Sequence, residues 1–147
     1  MDGRFNNIHQ GLTCTEARRI LSLPVAGLES QSDFYMAAAH LINCPCVETE
    51  DALIEFIAKN STEQAVKIAR RKAVEVLARL GVKRAVPVIG ACLNSDDSYL
   101  VENAAWSLKE LSETTLLFNQ KMIALLRQPE QSTRVLIQAL AGLHVTD

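Results

Sequence analysis

Aromatic residues are scarce in this chain of 147 residues, which has one tryptophan, two tyrosines and four phenylalanines. Histidine is also rare, with three scattered copies. The sequence has no glycine-rich phosphate loop, no G-x-S-x-G elbow and no H-E-x-x-H helix, so the common catalytic motifs are excluded. Its net charge of −2 provides no general attraction to nucleic acid or to an anionic membrane.

Long apolar runs are missing as well. No run approaches the roughly 18 residues that a transmembrane helix needs, and residues 1–7 lack the apolar centre of a secretory signal. We therefore expect a cytoplasmic protein with no membrane insertion and no nucleic-acid partner. In that compartment the four cysteines are expected to be free thiols rather than a disulfide framework; they are Cys14, Cys44, Cys46 and Cys92.

What the chain does contain is a pattern of small residues and a leucine that occurs four times. The leucines lie 36, 31 and 32 residues apart, at positions Leu41, Leu77, Leu108 and Leu140. A period of about 30 to 40 residues with two helices per unit is typical of HEAT-type solenoids. We predict an all-α fold, a right-handed α-α superhelix of about four helical pairs, whose stacked units offer a long surface to a partner.

Capping and helix-breaking residues place the boundaries of the predicted helices. Capping boxes over 13–16 and 61–64 begin helices, whereas Pro45 and Gly81 follow helix ends. The last predicted helix is apolar on more than one face. We therefore expect either that it docks on another chain, a different subunit or a second copy by self-association, or that the chain is the front part of a longer protein. The prediction is a single HEAT-like domain over 1–147, divided into an N-terminal cap over 1–28, units over 29–60, 61–95 and 96–128, and an incomplete unit over 129–147.

A basic triplet over residues 70–72 supplies two candidate binding residues, Arg70 and Arg71. Three consecutive positions span about 200° of a helix, so the triplet cannot face one ligand as a whole. The simpler interpretation is a solvated face that pairs with Glu63 or Glu75. The functional alternative is an arginine whose forked donors hold an acidic group of a ligand.

The segment Cys44-Pro45-Cys46, with His40 four residues before it, loosely resembles a metal site. A second ligand pair at structural-zinc spacing is missing. A proline-containing turn between two helices is therefore the favoured interpretation, and no metal is predicted. His40 is more simply a satisfied, half-buried histidine, and ligand binding by it is the alternative.

The first helix of the third repeat contains the least ordinary residues. Glu102, Trp106 and Lys109 fall on one helical stripe, with Asn103 beside it. A lone tryptophan at this position can simply seal neighbouring repeats. The alternative is a planar apolar surface next to a carboxylate and an amide, which suits a flat conjugated ligand with polar edges.

At these residues the chain resembles the E/F-type phycobilin lyases, a family of HEAT-like proteins, and its phycoerythrin-type members in particular. The stretch over 97–111, Asp-Ser-Tyr-Leu-Val-Glu-Asn-Ala-Ala-Trp-Ser-Leu-Lys-Glu-Leu, carries most of the resemblance, with support from 32–41, 73–87 and the opening 1–7. The resemblance implies a protein that binds an open-chain tetrapyrrole, such as phycoerythrobilin or phycocyanobilin, as a substrate and not as a cofactor. It further implies lyase or lyase-isomerase activity, with thioether attachment of the bilin to a cysteine of a phycobiliprotein α or β subunit.

The resemblance also implies roles for the candidate residues. Glu102 is expected to face the pyrrole nitrogens, Trp106 and Tyr99 to pack on the rings, and Arg70 or Arg71 to hold a propionate. Members of this family act as two-chain complexes or longer single chains, so a second lyase subunit is an expected partner.

Two other classes of function stay open. The first is a HEAT-repeat interaction scaffold without catalysis, which acts in phycobilisome assembly or degradation. The second is a metal- or cluster-handling adaptor that uses Cys44 and Cys46. A change in the visible absorption of added bilin separates the lyase from the scaffold, and metal analysis tests the adaptor.

Overall fold

The computed structural model describes residues 11–111, and the regular secondary structure within them is entirely helical. Its α-helices are α1 (Cys14–Leu21), α2 (Asp33–His40), α3 (Val47–Ile57), α4 (Gln64–Arg79), α5 (Val86–Ala91) and α6 (Ser98–Glu110). Short 3-10 turns cover Val25–Gly27, Leu41–Asn43, Lys83–Ala85 and Cys92–Asn94. No strand occurs in this part of the chain. The all-α prediction is confirmed.

The chain divides into two compact units, and the boundary falls inside α4. The N-terminal unit runs to Val76, and the C-terminal unit begins at Leu77. Within the described range, no helix is both long and apolar enough to cross a membrane. The fourth copy of the leucine pattern, at Leu140, and the apolar last helix that the sequence predicts lie outside the described residues.

Of the two predicted capping boxes, the one over 13–16 begins α1, whereas α4 begins only at Gln64, the last residue of the box over 61–64. The Thr13 hydroxyl accepts a hydrogen bond from the Glu16 amide at 3.0 Å, which caps α1. Asp97 does the same for α6, where its carboxylate accepts from the Tyr99 amide at 3.1 Å. Gly81 ends α4 with a φ of 72°, a left-handed conformation that glycine adopts at little cost.

Some predicted boundaries differ from the observed ones. The helix that the sequence predicts to end just before Pro45 is α-helical only to His40 and continues as a 3-10 turn over Leu41–Asn43. The second helix of the predicted unit over 61–95 is split into a 3-10 turn, the six-residue α5 and a second 3-10 turn. Such tightening is common at helix ends, where the last backbone groups have no partner one turn further along.

Apolar side chains from α1, α2 and α3 form the core of the N-terminal unit. The rings of Phe34 and Phe56 meet edge to face, with centroids 5.1 Å apart, and both side chains are fully buried. The Lys59 ammonium lies 4.9 Å from the Phe56 ring centroid and donates a hydrogen bond to the Leu21 carbonyl at 3.1 Å. Complete burial of each phenylalanine contributes about 1.5–3 kcal/mol, so these three helices form one stable cluster.

The leucines of the repeat pattern lie in the cores of the two units. Leu41 and Leu77 have no exposed surface, and Leu108 is 1% exposed. The alanines that precede them in the pattern, Ala37 and Ala104, are fully buried too. Small residues at these positions let helix backbones approach closely, which explains why the pattern pairs alanine with leucine.

The free-thiol prediction is wrong for two of the four cysteines. Cys14 and Cys44 form a disulfide, with an S–S distance of 2.10 Å and their Cα atoms 5.8 Å apart. Cys46 and Cys92 are free. The prediction was based on the expected compartment, whereas the pairing follows from packing. The first residue of α1 meets the turn that follows α2, and this brings residues 30 positions apart into contact.

Candidate functional site

One face of α6 in the C-terminal unit carries four of the predicted site residues. Glu102, Asn103 and Trp106 are half-buried, and Tyr99, one turn before them, is 63% exposed. Ala104, Ala105 and Leu108, which lie on other faces of the same helix, are buried. The register of α6 therefore keeps its polar and aromatic residues accessible while its small apolar residues anchor the helix.

The structure adds a cation to this face that sequence reasoning missed. The guanidinium carbon of Arg79, the last residue of α4, lies 5.1 Å from the centroid of the Trp106 ring. Stacking of arginine on an indole stabilises by about 0.5–1 kcal/mol at an exposed site. A positive residue in the last turn of a helix is a common end signal, so nothing in the sequence distinguished Arg79 as a site residue. We call Arg79, Glu102, Asn103 and Trp106 the α6 face.

The remaining predicted residues lie in the N-terminal unit. Arg70 is half-buried, and its Nε donates a hydrogen bond to the Ile57 carbonyl at 2.9 Å. This bond satisfies a carbonyl at the C-terminal end of α3, where a positive charge is also favourable to the helix dipole. Arg70 therefore has a structural contact that the sequence did not reveal. Arg71 is half-buried as well.

The third residue of the basic triplet forms an ion pair, as the simpler interpretation predicted. The Lys72 ammonium lies 3.0 Å from a carboxylate oxygen of Glu75 and 5.5 Å from the centroid of the Tyr35 ring. Burial lowers the pKa of Lys72, but its hydrogen bond and attraction to Glu75, together with those to Tyr35, outweigh burial and raise the pKa above its usual value.

His40 lies beside the disulfide of the N-terminal unit. The ligating atoms of Cys14, His40 and Cys44 all lie within 4.8 Å of one another. Cys46, which belongs to the metal-like motif in the sequence, is not part of this cluster. Its Sγ accepts from Arg18 Nη1 at 3.5 Å and contacts Thr49 Oγ1 at 3.4 Å.

A cavity of about 370 Å³ opens in the N-terminal unit between α1, the turn over Val25–Gly27 and α2. None of the predicted site residues lines it. Asp33, a half-buried carboxylate in its lining, already accepts hydrogen bonds from the amides of Glu29 and Ser30, both at 3.0 Å. The cavity therefore does not replace the α6 face as the candidate site. The lining residues are Leu12, Glu16, Arg19, Ile20, Leu23, Gly27, Glu29, Asp33, Met36 and Ala37.

Comparison with known proteins gives three findings. Residues 50–141 match the family of HEAT repeats. The chain is 54% identical over 119 residues to the bilin biosynthesis protein CpeY of Synechococcus sp. (strain WH8020), covering 80% of this chain and 28% of that protein. It is 38% identical over 143 residues to the uncharacterized phycocyanin operon protein Y of Pseudanabaena tenuis (strain PCC 7409), covering 97% of this chain and 34% of that protein.

A solved structure is also similar. It is the complex of CpcE and CpcF of phycocyanin lyase from Nostoc sp. PCC7120, one chain of which matches with a TM-score of 0.72 and 28% identity. The match covers 90% of this chain and 53% of that chain. The chain thus spans about a third or less of the two curated relatives and about half of the solved one.

The HEAT-repeat match covers more than half of the residues, and it confirms the predicted repeat fold. The named relatives agree with the resemblance carried by residues 97–111. This chain is a HEAT-repeat protein of the E/F-type phycobilin lyase family.

Proposed function

We propose that this chain is a bilin lyase component that binds an open-chain tetrapyrrole on the α6 face and presents it to a cysteine of a phycobiliprotein. The observation that carries the proposal is the stacked pair of Trp106 and Arg79, with Glu102 one helical turn before Trp106 on α6. The names of the relatives, a bilin biosynthesis protein and a phycocyanin lyase, support it.

The chemistry of the α6 face fits the chemistry of a bilin. The ligand is a flat conjugated chain of four pyrrole rings, with nitrogens that carry protons and propionates that carry negative charge. Trp106 offers an aromatic plane for the rings, and Glu102 offers a carboxylate for protonated nitrogens. Arg79 brings a positive charge to the same place, which attracts a propionate.

Attachment itself needs positioning more than it needs a catalytic acid or base from the lyase. The sulfur of the acceptor cysteine forms a bond to the ethylidene carbon of the bilin, and the thiol proton passes to the tetrapyrrole. No atom is lost and nothing is oxidised in this addition. A surface that holds the bilin extended, with its ethylidene carbon near the thiolate, can lower the barrier by several kcal/mol.

A second lyase subunit is the partner that we propose besides the phycobiliprotein. The similar solved structure is a complex of two proteins, CpcE and CpcF. A repeat array stacks on its neighbours through apolar faces, so a second array of the same type is a suitable partner.

The test is binding of phycoerythrobilin or phycocyanobilin to the purified chain, followed by visible absorption. We expect a changed band for the unaltered chain. Trp106→Ala should weaken binding about tenfold or more, since a stacked aromatic plane contributes roughly 1–3 kcal/mol. Glu102→Gln should move the band of the bound bilin, because an amide cannot balance a protonated pyrrole.

Tyr35→Leu is the matched control. Like Trp106, Tyr35 is an accessible aromatic residue under a cation, the ammonium of Lys72, but it lies in the N-terminal unit. We expect the control to bind bilin as the unaltered chain does. If added bilin keeps its free spectrum at tens of micromolar protein, or if Trp106→Ala and Glu102→Gln act no differently from Tyr35→Leu, the interaction scaffold is the better description.

A further inference from the structure

Two cysteines and a histidine form a compact cluster that the proposed bilin chemistry does not use. Cys14, His40 and Cys44 place their sulfur and ring-nitrogen atoms within 4.8 Å of one another. Cys44 is 4% exposed, whereas Cys14 and His40 are half-buried. The cluster is therefore closed on the side of Cys44 and reachable from solvent on the side of the other two.

Helix geometry explains why these three residues meet. His40 ends α2, and the 3-10 turn over Leu41–Asn43 continues the helical path to Cys44. Residues four apart on such a path share one face, and the Cys44 Sγ lies 3.9 Å from the His40 carbonyl oxygen. Cys14 completes the cluster from the first position of α1, which packs against α2.

The donor set is one that zinc prefers. Thiolate and imidazole ligands bind Zn²⁺ in preference to Mg²⁺, Ca²⁺ or Mn²⁺, because those ions favour oxygen ligands. Two thiolates on a tetrahedral zinc, each at about 2.3 Å from the metal, lie about 3.8 Å apart. In the disulfide form the two sulfurs are bonded to each other, while all the ligand atoms of the cluster lie within 4.8 Å and the Cα atoms of Cys14 and Cys44 are 5.8 Å apart. Once the disulfide is reduced, the two sulfurs are free to separate by rotation of the cysteine side chains between staggered rotamers.

We propose that Cys14, His40 and Cys44 bind one Zn²⁺ when the chain is reduced, and that the Cys14–Cys44 disulfide is the metal-free form of the same three residues. Three protein ligands leave the fourth position of the tetrahedron to water, as in open zinc sites. The inference does not depend on the proposed bilin chemistry, because the cluster and the α6 face share no residue.

The interconversion balances with a small-molecule disulfide as the oxidant. The two zinc-bound thiolates give up two electrons and form the Cys14–Cys44 bond. The oxidant accepts those electrons, its S–S bond breaks, and it leaves as two thiolates. Zn²⁺ is released in the same process, because a disulfide sulfur has no thiolate charge with which to hold it.

Cys46 is not a ligand in this proposal, although the sequence pairs it with Cys44. The guanidinium of Arg18 lies 3.5 Å from the Cys46 sulfur and also donates to Thr49 Oγ1 at 3.2 Å. A fixed positive charge at that distance opposes a divalent cation. Cys46 thus provides a matched control: it has the same side chain two positions from Cys44.

The experiment measures metal content in the purified full chain. Protein is reduced, stripped with chelator, loaded anaerobically with Zn²⁺ and desalted, and bound zinc is measured by elemental analysis. We expect one Zn²⁺ per chain in the unaltered protein and in Cys46→Ser. Cys14→Ser, Cys44→Ser and His40→Gln should bind zinc roughly 100-fold more weakly or worse, since loss of even an outer contact to a zinc ligand costs 10–100-fold.

Two further readouts make the result decisive. Co²⁺ loaded in place of zinc should show a thiolate-to-cobalt charge-transfer band in the unaltered chain and in Cys46→Ser. Oxidised glutathione should release the zinc while two thiols per chain disappear. His40→Gln keeps both cysteines, so its disulfide and its helical circular dichroism confirm that it is folded.

The proposal is overturned if the reduced unaltered chain, with Cys14 and Cys44 both titrating as thiols, retains no zinc after desalting. It is equally overturned if His40→Gln binds zinc as tightly as the unaltered chain, or if Cys46→Ser loses zinc as fully as Cys44→Ser. The last result would assign the metal to the Cys44-Pro45-Cys46 motif instead.

Discussion

Two aromatic side chains in this protein each lie under a positively charged side chain. Trp106 lies under the guanidinium of Arg79, and Tyr35 lies under the ammonium of Lys72. Both rings are accessible, so each pair offers a planar surface with a positive charge. The carboxylate beside the second pair is already used, because Glu75 forms an ion pair with Lys72. The first pair includes the tryptophan of the segment over 97–111 that carries the family resemblance, with Glu102 one helical turn before it, and this is why we assign bilin binding to the α6 face.

The ion pair of Lys72 and Glu75 gives a prediction at the residue scale. The pKa of Lys72 is raised in the folded state. The pair therefore stabilises the protein fully below the usual lysine pKa of 10.5, and this stabilisation is lost as the pH rises through the folded-state pKa of Lys72. Lys72→Gln should therefore lower the free energy of unfolding at pH 7 by less than about 1 kcal/mol. The difference from the unaltered chain should shrink above pH 10.5. Urea unfolding at several pH values measures it.

Lys83→Gln is the control for that prediction, since Lys83 is exposed. We expect no measurable change for it at any pH. A difference for Lys72→Gln that stays constant into the alkaline range would show that the side chain acts through packing rather than through charge.

Helices in this chain are specified mainly by their ends. Thr13 and Asp97 each satisfy a backbone amide that has no partner within its helix. Gly81 ends α4, with the Val82 amide donating to the Leu77 carbonyl at 3.0 Å. These capping and helix-ending residues explain why the chain forms separate helices rather than one long helix.

Gly81 gives a prediction at the element scale. A Cβ at this position would meet nothing within 4 Å, so the effect of Gly81→Ala comes from the backbone alone. At a φ of 72°, alanine costs roughly 1–2 kcal/mol. We expect a decrease of that size in the free energy of unfolding, measured by urea or thermal denaturation.

Gly90→Ala is the matched control, because a Cβ there also meets nothing within 4 Å but the residue lies inside α5. Alanine is a better helix former than glycine by about 1 kcal/mol. We expect this variant to be as stable as the unaltered chain or slightly more stable. Equal losses for the two variants would contradict the conformational explanation.

At the scale of the whole molecule, the disulfide is a covalent link between two residues that are far apart in the described part of the chain. It joins residues 30 positions apart and ties the start of α1 to the turn after α2. Both residues belong to the N-terminal unit. The disulfide is therefore expected to stabilise that unit. In the zinc proposal, the metal cross-links the same two cysteines together with His40.

The corresponding prediction compares oxidised, reduced and zinc-loaded protein. Closing a loop of 30 residues restricts the unfolded chain and stabilises the folded one by about 3–4 kcal/mol. Metal-free reduced protein should thus unfold at lower urea concentration than oxidised protein. Zinc should restore part of the loss, because a metal that binds only the folded state stabilises it by mass action.

Cys92→Ser, which removes a free buried thiol, is a control for cysteine loss as such. It should leave the gap between oxidised and reduced protein unchanged. Identical unfolding of the oxidised and reduced forms would show that the N-terminal unit does not need this cross-link.

The sequence by itself determined the helices, the repeat and the family. Helix ends depend on residues close in sequence, as at Thr13 and Gly81. The repeated leucine pattern is visible in the sequence of this chain alone. The resemblance over 97–111 was likewise a matter of sequence. These features are local or periodic, so they can be recognised before any helix is placed beside another.

Only the tertiary structure decided which distant residues meet. It paired Cys14 with Cys44 and left Cys46 beside Arg18, it placed Arg79 on Trp106, and it directed Arg70 to the end of α3. Each of these contacts joins separate helices or the turns next to them, so it depends on the angle and spacing at which helices pack. That geometry is set by all the side chains between the helices together, and no single motif records it.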